Sequence, residues 1–234
     1  MRPTRRKVLD GNRSQRQIPL NHDRVPGTDM GLSLQVGAEE DWDWDVYKAL
    51  ATALAEEGLP PHVEPRDLPD ELTFSCQMWG YSGLHYLRRL AAYLGQGIEV
   101  PGPGDSDASD DPVLQAYYDQ MAPGYQHLVL HSDCEGYYVP VDFEEVLFPH
   151  DDLNIPGGMV GSSVRLLEEC RRLARWLGLP PDIDTQNKEM WEAAVDPPAE
   201  GPRWKRFAIE SFGCVGLMRA CEASIASGAS IAFC

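Results

Sequence analysis

The sequence predicts an α+β fold, a mainly helical single domain over residues 30–234 packed on a small antiparallel sheet of three to four strands. Three observations predict it. Apolar residues recur at helical spacing in several long segments. Short runs of β-type alternation lie between them and at both ends. Clusters of Gly, Pro and Asp punctuate the two kinds of segment.

Taken in order, residues 1–29 are polar and basic and lack apolar periodicity, so they read as a disordered leader. The change at Met30 is abrupt. Two readings stay open: a genuine basic tail, or a natural start of translation at Met30 with a leader that is not native. Leu32, Leu34 and Val36 then alternate with Ser33 and Gln35, the pattern of a half-buried strand. Asp41 or Asp43 caps a helix to about residue 57, with Trp44, Tyr47, Ala51 and Leu54 inward and Gly58 as its stop. Residues 59–72 hold four prolines and read as an extended loop, and 73–76 as a strand. A helix over 81–94 buries Leu84, Leu87, Ala91 and Leu94. Residues 95–111 form a Gly/Pro/Asp-rich loop, and Pro112 starts a short helix.

Leu128-Val129-Leu130 centres a strand over 126–131, Ser132 to Gly136 is a turn, and 141–148 a short helix. Ser162 or Ser163 caps a helix to Leu177. A short helix lies near Met190-Trp191, and a long one runs from Trp204 to Ser227, ended by Gly228. A terminal strand over 229–233 is expected beside 126–131.

Charge bounds the function. The chain carries −17, but residues 1–29 hold seven Lys/Arg and three acids, leaving 13 basic and 34 acidic residues in 30–234, a net of −21. Such a body repels phosphates and anionic membranes and favours a cation or a basic partner, so no nucleic acid is expected on the folded domain and no membrane. Six cysteines without C-x-x-C spacing, no apolar run of membrane length and no secretory signal point to reduced thiols in a cytoplasm.

The densest set of reactive side chains is His127-x-x-x-His131-x-Asp133-Cys134-Glu135-Gly136. Imidazole, carboxylate and thiolate are metal ligands, which makes His131, Asp133 and Cys134 candidate ligands for zinc or another divalent ion. A thiol enzyme using Cys134 is a minor alternative. The structural alternative is a tight turn, with Asp133 on backbone N–H groups and Gly136 at positive φ. Tyr81, His85 and Arg88 or Arg89 form one helical stripe, able to hold an anion or to edge a core. Gly157 to Ser163 precedes a helix but lacks a phosphate-loop pattern, and a turn with a serine cap accounts for it.

Three fragments together resemble an uncharacterised family of small bacterial and phage proteins. They are Tyr81-Ser82-Gly83-Leu84-His85, then His131-Ser132-Asp133-Cys134-Glu135-Gly136, and the final Phe233-Cys234. The chain departs at Leu84, where an aromatic is expected, and at Glu135, where Asp is expected. The resemblance carries no activity. It implies a fold that starts near Met30, a natural end at Cys234, and three fragments that meet in space.

The reading reached from sequence is a polar ligand- or metal-binding pocket formed by Tyr81, His85, Arg88, His131, Asp133, Cys134, Glu135 and Cys234. The alternative is an acidic interaction protein (an immunity factor, inhibitor or phage decoy) that covers a basic partner. A small ligand and a basic protein are therefore the two expected kinds of partner.

Overall fold

The computed structural model describes residues 32–37, 44–78, 80–103, 108–132 and 134–233, with the side chains of 80–82 left aside. The expected leader and the caps at Asp41 or Asp43 lie outside these residues. The fold is α+β, with five strands: β1 (Ser33–Val36), β2 (Phe74–Gln77), β3 (Gly136–Val139), β4 (Val160–Ser162) and β5 (Ile231–Phe233). Their order across the sheet is β2-β1-β5-β3-β4. All pairings are antiparallel except β3 with β4, so the sheet is mixed and larger than the sequence predicts.

The helices are α1 (Asp45–Glu56), α2 (Gly80–Gly95), α3 (Pro112–Gln120), α4 (Gln126–Val129), α5 (Ser163–Leu177), α6 (Lys188–Val195), α7 (Arg203–Arg206) and α8 (Ala208–Ser227). Local chemistry explains several ends. Asp111 accepts from the N–H groups of Val113 and Leu114 ahead of α3, and Ser162 accepts from Arg165 N–H ahead of α5. Gly178 and Gly228 close α5 and α8 in the left-handed conformation. The predicted long helix is broken at Phe207 (φ −109°, ψ 52°), which separates α7 from α8.

Strand alternation splits the core in two. Leu34, Val36, Tyr138, Ile231 and Phe233 face a large core under α2, α5 and α8. Val139 and Val160 face a smaller one, where α1 contributes Tyr47, Leu50 and Leu54 against Phe143 and Ile155. α8 is buried on almost every side from Ala208 to Leu217, as expected of a helix apolar all round. Cys170, Cys214 and Cys221 are buried free thiols, and Cys76 and Cys134 are free as well.

Three expectations are corrected. Residues 126–131 are not a strand but contain α4, so β5 pairs instead with β1 and β3 in the middle of the sheet. Residues 141–148 are not helical. Leu147 exchanges both backbone hydrogen bonds with Val160 at 3.0 Å, which extends the sheet beyond β4 and uses one N–H and one carbonyl that a helix would need.

Gly161 has a packing reason. A Cβ there would lie 2.2 Å from the ring of Tyr138 on the neighbouring strand. Gly161→Ala therefore forces the fully buried Tyr138 to move. We predict a loss of stability of about 1–3 kcal/mol or more, read as a lower urea midpoint, whereas an unchanged midpoint would contradict this packing.

Candidate interaction surface

The sequence-predicted site begins at α4. This single turn is too short to be stable by itself. Buried ionisable side chains hold both of its ends. At the start, the two carboxyl oxygens of Glu169, on α5, accept from the N–H groups of His127 (3.2 Å) and Leu128 (2.8 Å). At the end, Arg88, on α2, donates to the carbonyls of Leu128 (2.8 Å), His131 (2.5 Å) and Ser132 (3.0 Å). Both side chains are buried. A carboxyl group on free N–H groups and a guanidinium on free carbonyls complete the unpaired ends of the turn.

The two histidines of this segment are structural. His127 receives the N–H of Ser162 on Nδ1 (3.0 Å), which leaves the proton on Nε2, facing the carbonyl of Glu144 at 3.1 Å. His131 stacks on Tyr138 with ring centroids 4.0 Å apart and meets the edge of Phe233. Its ring nitrogens face the carbonyls of Tyr137 (3.0 Å) and Ser132 (3.2 Å). Burial pushes both imidazoles down to about 4, with backbone acceptors opposing the shift. Gly136, at φ 123°, makes room for this stack, because a Cβ there would meet the His131 ring at 2.8 Å.

Of the eight candidate residues, the structure joins Arg88 to the His131 segment. His85 is half-buried on α2. Cys134 and Glu135 are exposed, whereas His131 is 2% exposed, so they do not share one environment. Cys134 Sγ has Ser132 Oγ at 3.9 Å. Asp133, Cys234 and the side chain of Tyr81 lie outside the described residues. Among the described residues no three His, Cys, Asp or Glu side chains are grouped to hold a metal ion.

The feature sequence reasoning missed is a surface. From Leu90 to Val164 the chain has thirteen acidic residues and no Lys or Arg. Counting charge along the chain, rather than only for the leader and the body, would have revealed it. Within this run, Asp142, Glu144, Glu145, Asp151 and Asp152 are all exposed on the segment that passes the β4 edge. The backbone here is pinned: Phe143 packs on His127, the Glu144 carbonyl faces His127 Nε2, and Leu147 bridges Val160. Asp142 pairs with Arg165 (2.6 Å) and Asp152 with His150 (2.6 Å). Glu144, Glu145 and Asp151 have no ion-pair partner among the described residues. Beside them, Glu135 and Asp151 line an open cleft with Ser132, Asn154 and Gly157. The 3₁₀ turn Asp151–Leu153 also touches α1, whose C-terminal end carries exposed Glu56 and Glu57.

Fold and surface together define an acidic α+β protein that presents anchored carboxylates at one sheet edge. The chain belongs to the family described as "Putative DNA-mimic protein", whose profile matches residues 30–233. No curated protein and no solved structure matches the chain. The family overturns the expectation of a small-ligand partner, because imitation of DNA is directed at a protein. Among the described residues no helix is long and apolar enough to cross a membrane.

The buried carboxyls predict a pH dependence. Burial pushes Glu169 up to about 8 against its two N–H donors, and Glu210 up to about 7. An unfolded chain releases these protons near the ordinary carboxyl value, so the fold binds more protons between there and pH 8, and stability falls as pH rises through that window. His127 and His131 act in the opposite sense, but only below their ordinary value of 6.5. Between pH 6.5 and 8.5 the carboxyl effect dominates, and the thiols of Cys76, Cys170 and Cys221, held protonated in the fold, add to the fall only near the upper limit. We predict that the melting temperature drops by about 5–10 °C over this range. Glu169→Gln, which keeps an acceptor for α4, should flatten the drop, and a variant with the parental slope would reject a protonated Glu169.

Proposed function

We propose that this protein acts as a DNA mimic whose acidic surface occupies the DNA-binding face of a basic protein. The observation that carries this reading is the run from Leu90 to Val164, thirteen acids without one Lys or Arg, with its β4-edge acids exposed on a pinned backbone. A duplex is recognised largely through closely spaced negative charges on a stiff frame. Carboxylates on anchored backbone reproduce that field and steer a cationic partner at high association rates. Family membership supports the same reading. The alternative from sequence, an acidic protein that covers a basic partner, is thereby preferred over the ligand pocket.

Glu144 and Glu145 are the residues of choice for the test, since neither supports the core or an ion pair among the described residues. Purified DNA-binding proteins of several fold classes should be titrated with the full chain by calorimetry. At least one should bind, with affinity falling steeply with salt and with duplex DNA competing. The double variant Glu144→Lys/Glu145→Lys should lose about tenfold or more in affinity and keep its melting temperature. Binding that duplex DNA fails to displace would sink the proposal.

A further inference from the structure

The molecule also carries a groove of the opposite sign. It lies between the C-terminal part of α5 and the middle turns of α8. Arg171, Arg175 and Arg219 line it, with Glu222 as the one acid and with Val215 and Met218 in its apolar floor. Glu222 serves two of the three arginines, Arg171 at 3.5 Å and Arg219 at 3.3 Å. Arg219 also donates to the Ile183 carbonyl at 3.4 Å, which holds its guanidinium at the rim. Arg175 is exposed and has no hydrogen-bond or ion-pair partner among the described residues. The lining therefore has a surplus of two positive charges on a body with 34 acids and 13 bases. The groove holds about 270 Å³, room for a few side chains rather than for a complete small-molecule ligand.

We infer that this groove is a second contact surface, which takes a short partner segment containing acidic and apolar side chains. The inference rests on the DNA-mimic reading and deepens it. An acidic surface by itself attracts basic proteins indiscriminately, because charge complementarity governs encounter rate more than choice. Discrimination needs a feature for which the wrong partners have no match. A duplex displays phosphates and no cations, so an arginine-rimmed apolar groove is something this protein offers and DNA does not. A partner with a basic face and a neighbouring acidic, apolar segment satisfies both surfaces. Charge complementarity selects the occupant: Arg175, without a partner among the described residues, and the shared Arg171 and Arg219 bind carboxylates, and the floor takes apolar side chains.

Three fluorescein-labelled twelve-residue peptides serve as probes for the full chain by fluorescence anisotropy, alternating Leu with Glu, with Lys or with Gln. The Leu/Glu peptide should bind at least fivefold more tightly than the Leu/Gln peptide. The double variant Arg175→Glu/Arg219→Glu should abolish that preference, with its melting curve checked alongside. The variant Arg175→Gln should weaken it without reversing charge. The Leu/Lys peptide reports on the acidic surface: Glu144→Lys/Glu145→Lys should weaken it, and the arginine variants should not. A Leu/Glu peptide that binds no better than Leu/Gln, or equally well to the arginine variants, overturns the groove assignment. Loss of Leu/Lys binding to the parent protein counts against the DNA-mimic reading instead, so the two failures are told apart.

Discussion

The clamp on α4 is the contact on which the surrounding structure depends. Arg88 reaches from α2 and Glu169 from α5, and the single turn between them is completed at both ends by these two side chains. The clamp draws three helices together. It also sets the exit of the chain toward β3, where the ring of His131 lies on Tyr138 and next to Phe233. Tyr138 in turn donates its hydroxyl to the His127 carbonyl at 2.8 Å, which returns the sheet to the same turn. Buried charged groups are costly unless their partners are complete. Here the guanidinium and the carboxyl each meet the free backbone groups of a helix end, which would otherwise be buried without partners.

The same centre governs the acidic edge. His127 sits between the clamp and the segment that carries Glu144 and Glu145. One ring nitrogen takes the Ser162 N–H and the other holds the Glu144 carbonyl. The core beneath and the carboxylates above are thus connected through one imidazole. Anchored this way, Glu144 and Glu145 keep their spacing without an ion pair among the described residues, which suits the proposed role of presenting uncompensated charge. The cost is mutual repulsion between carboxylates, which destabilises the compact state. Close packing around Tyr138 and Gly161 and the double backbone exchange of Leu147 with Val160 act against it.

Charge is also distributed with sense across the whole molecule. The arginine-lined groove belongs to α5 and α8, two helices that pack extensively on one another. The acid-rich segment passes the far strand of the sheet, β4. Helices that bury most of their surface have little exposed area left for charge. Three of the five arginines on α5 and α8, Arg171, Arg175 and Arg219, sit together along the line where the two helices meet solvent.

Much of the fold is determined by sequence alone. The alternation of Leu32, Leu34 and Val36, the helical stripes of α1, α2 and α5, and the glycines that end α5 and α8 are local patterns that already contain their own reasons. So is the net acidity, which needs no coordinates. Tertiary structure alone decided α4. Leu128-Val129-Leu130 is an apolar run too short to show a period, and only partners about forty residues away, Arg88 and Glu169, turn it into a capped helical turn. It also decided what His131 is for: no spacing rule shows that its ring is stacked on Tyr138 with both nitrogens against backbone carbonyls. The chemistry of a side chain can be read from its type, but whether that chemistry reaches solvent depends on which distant segments close over it.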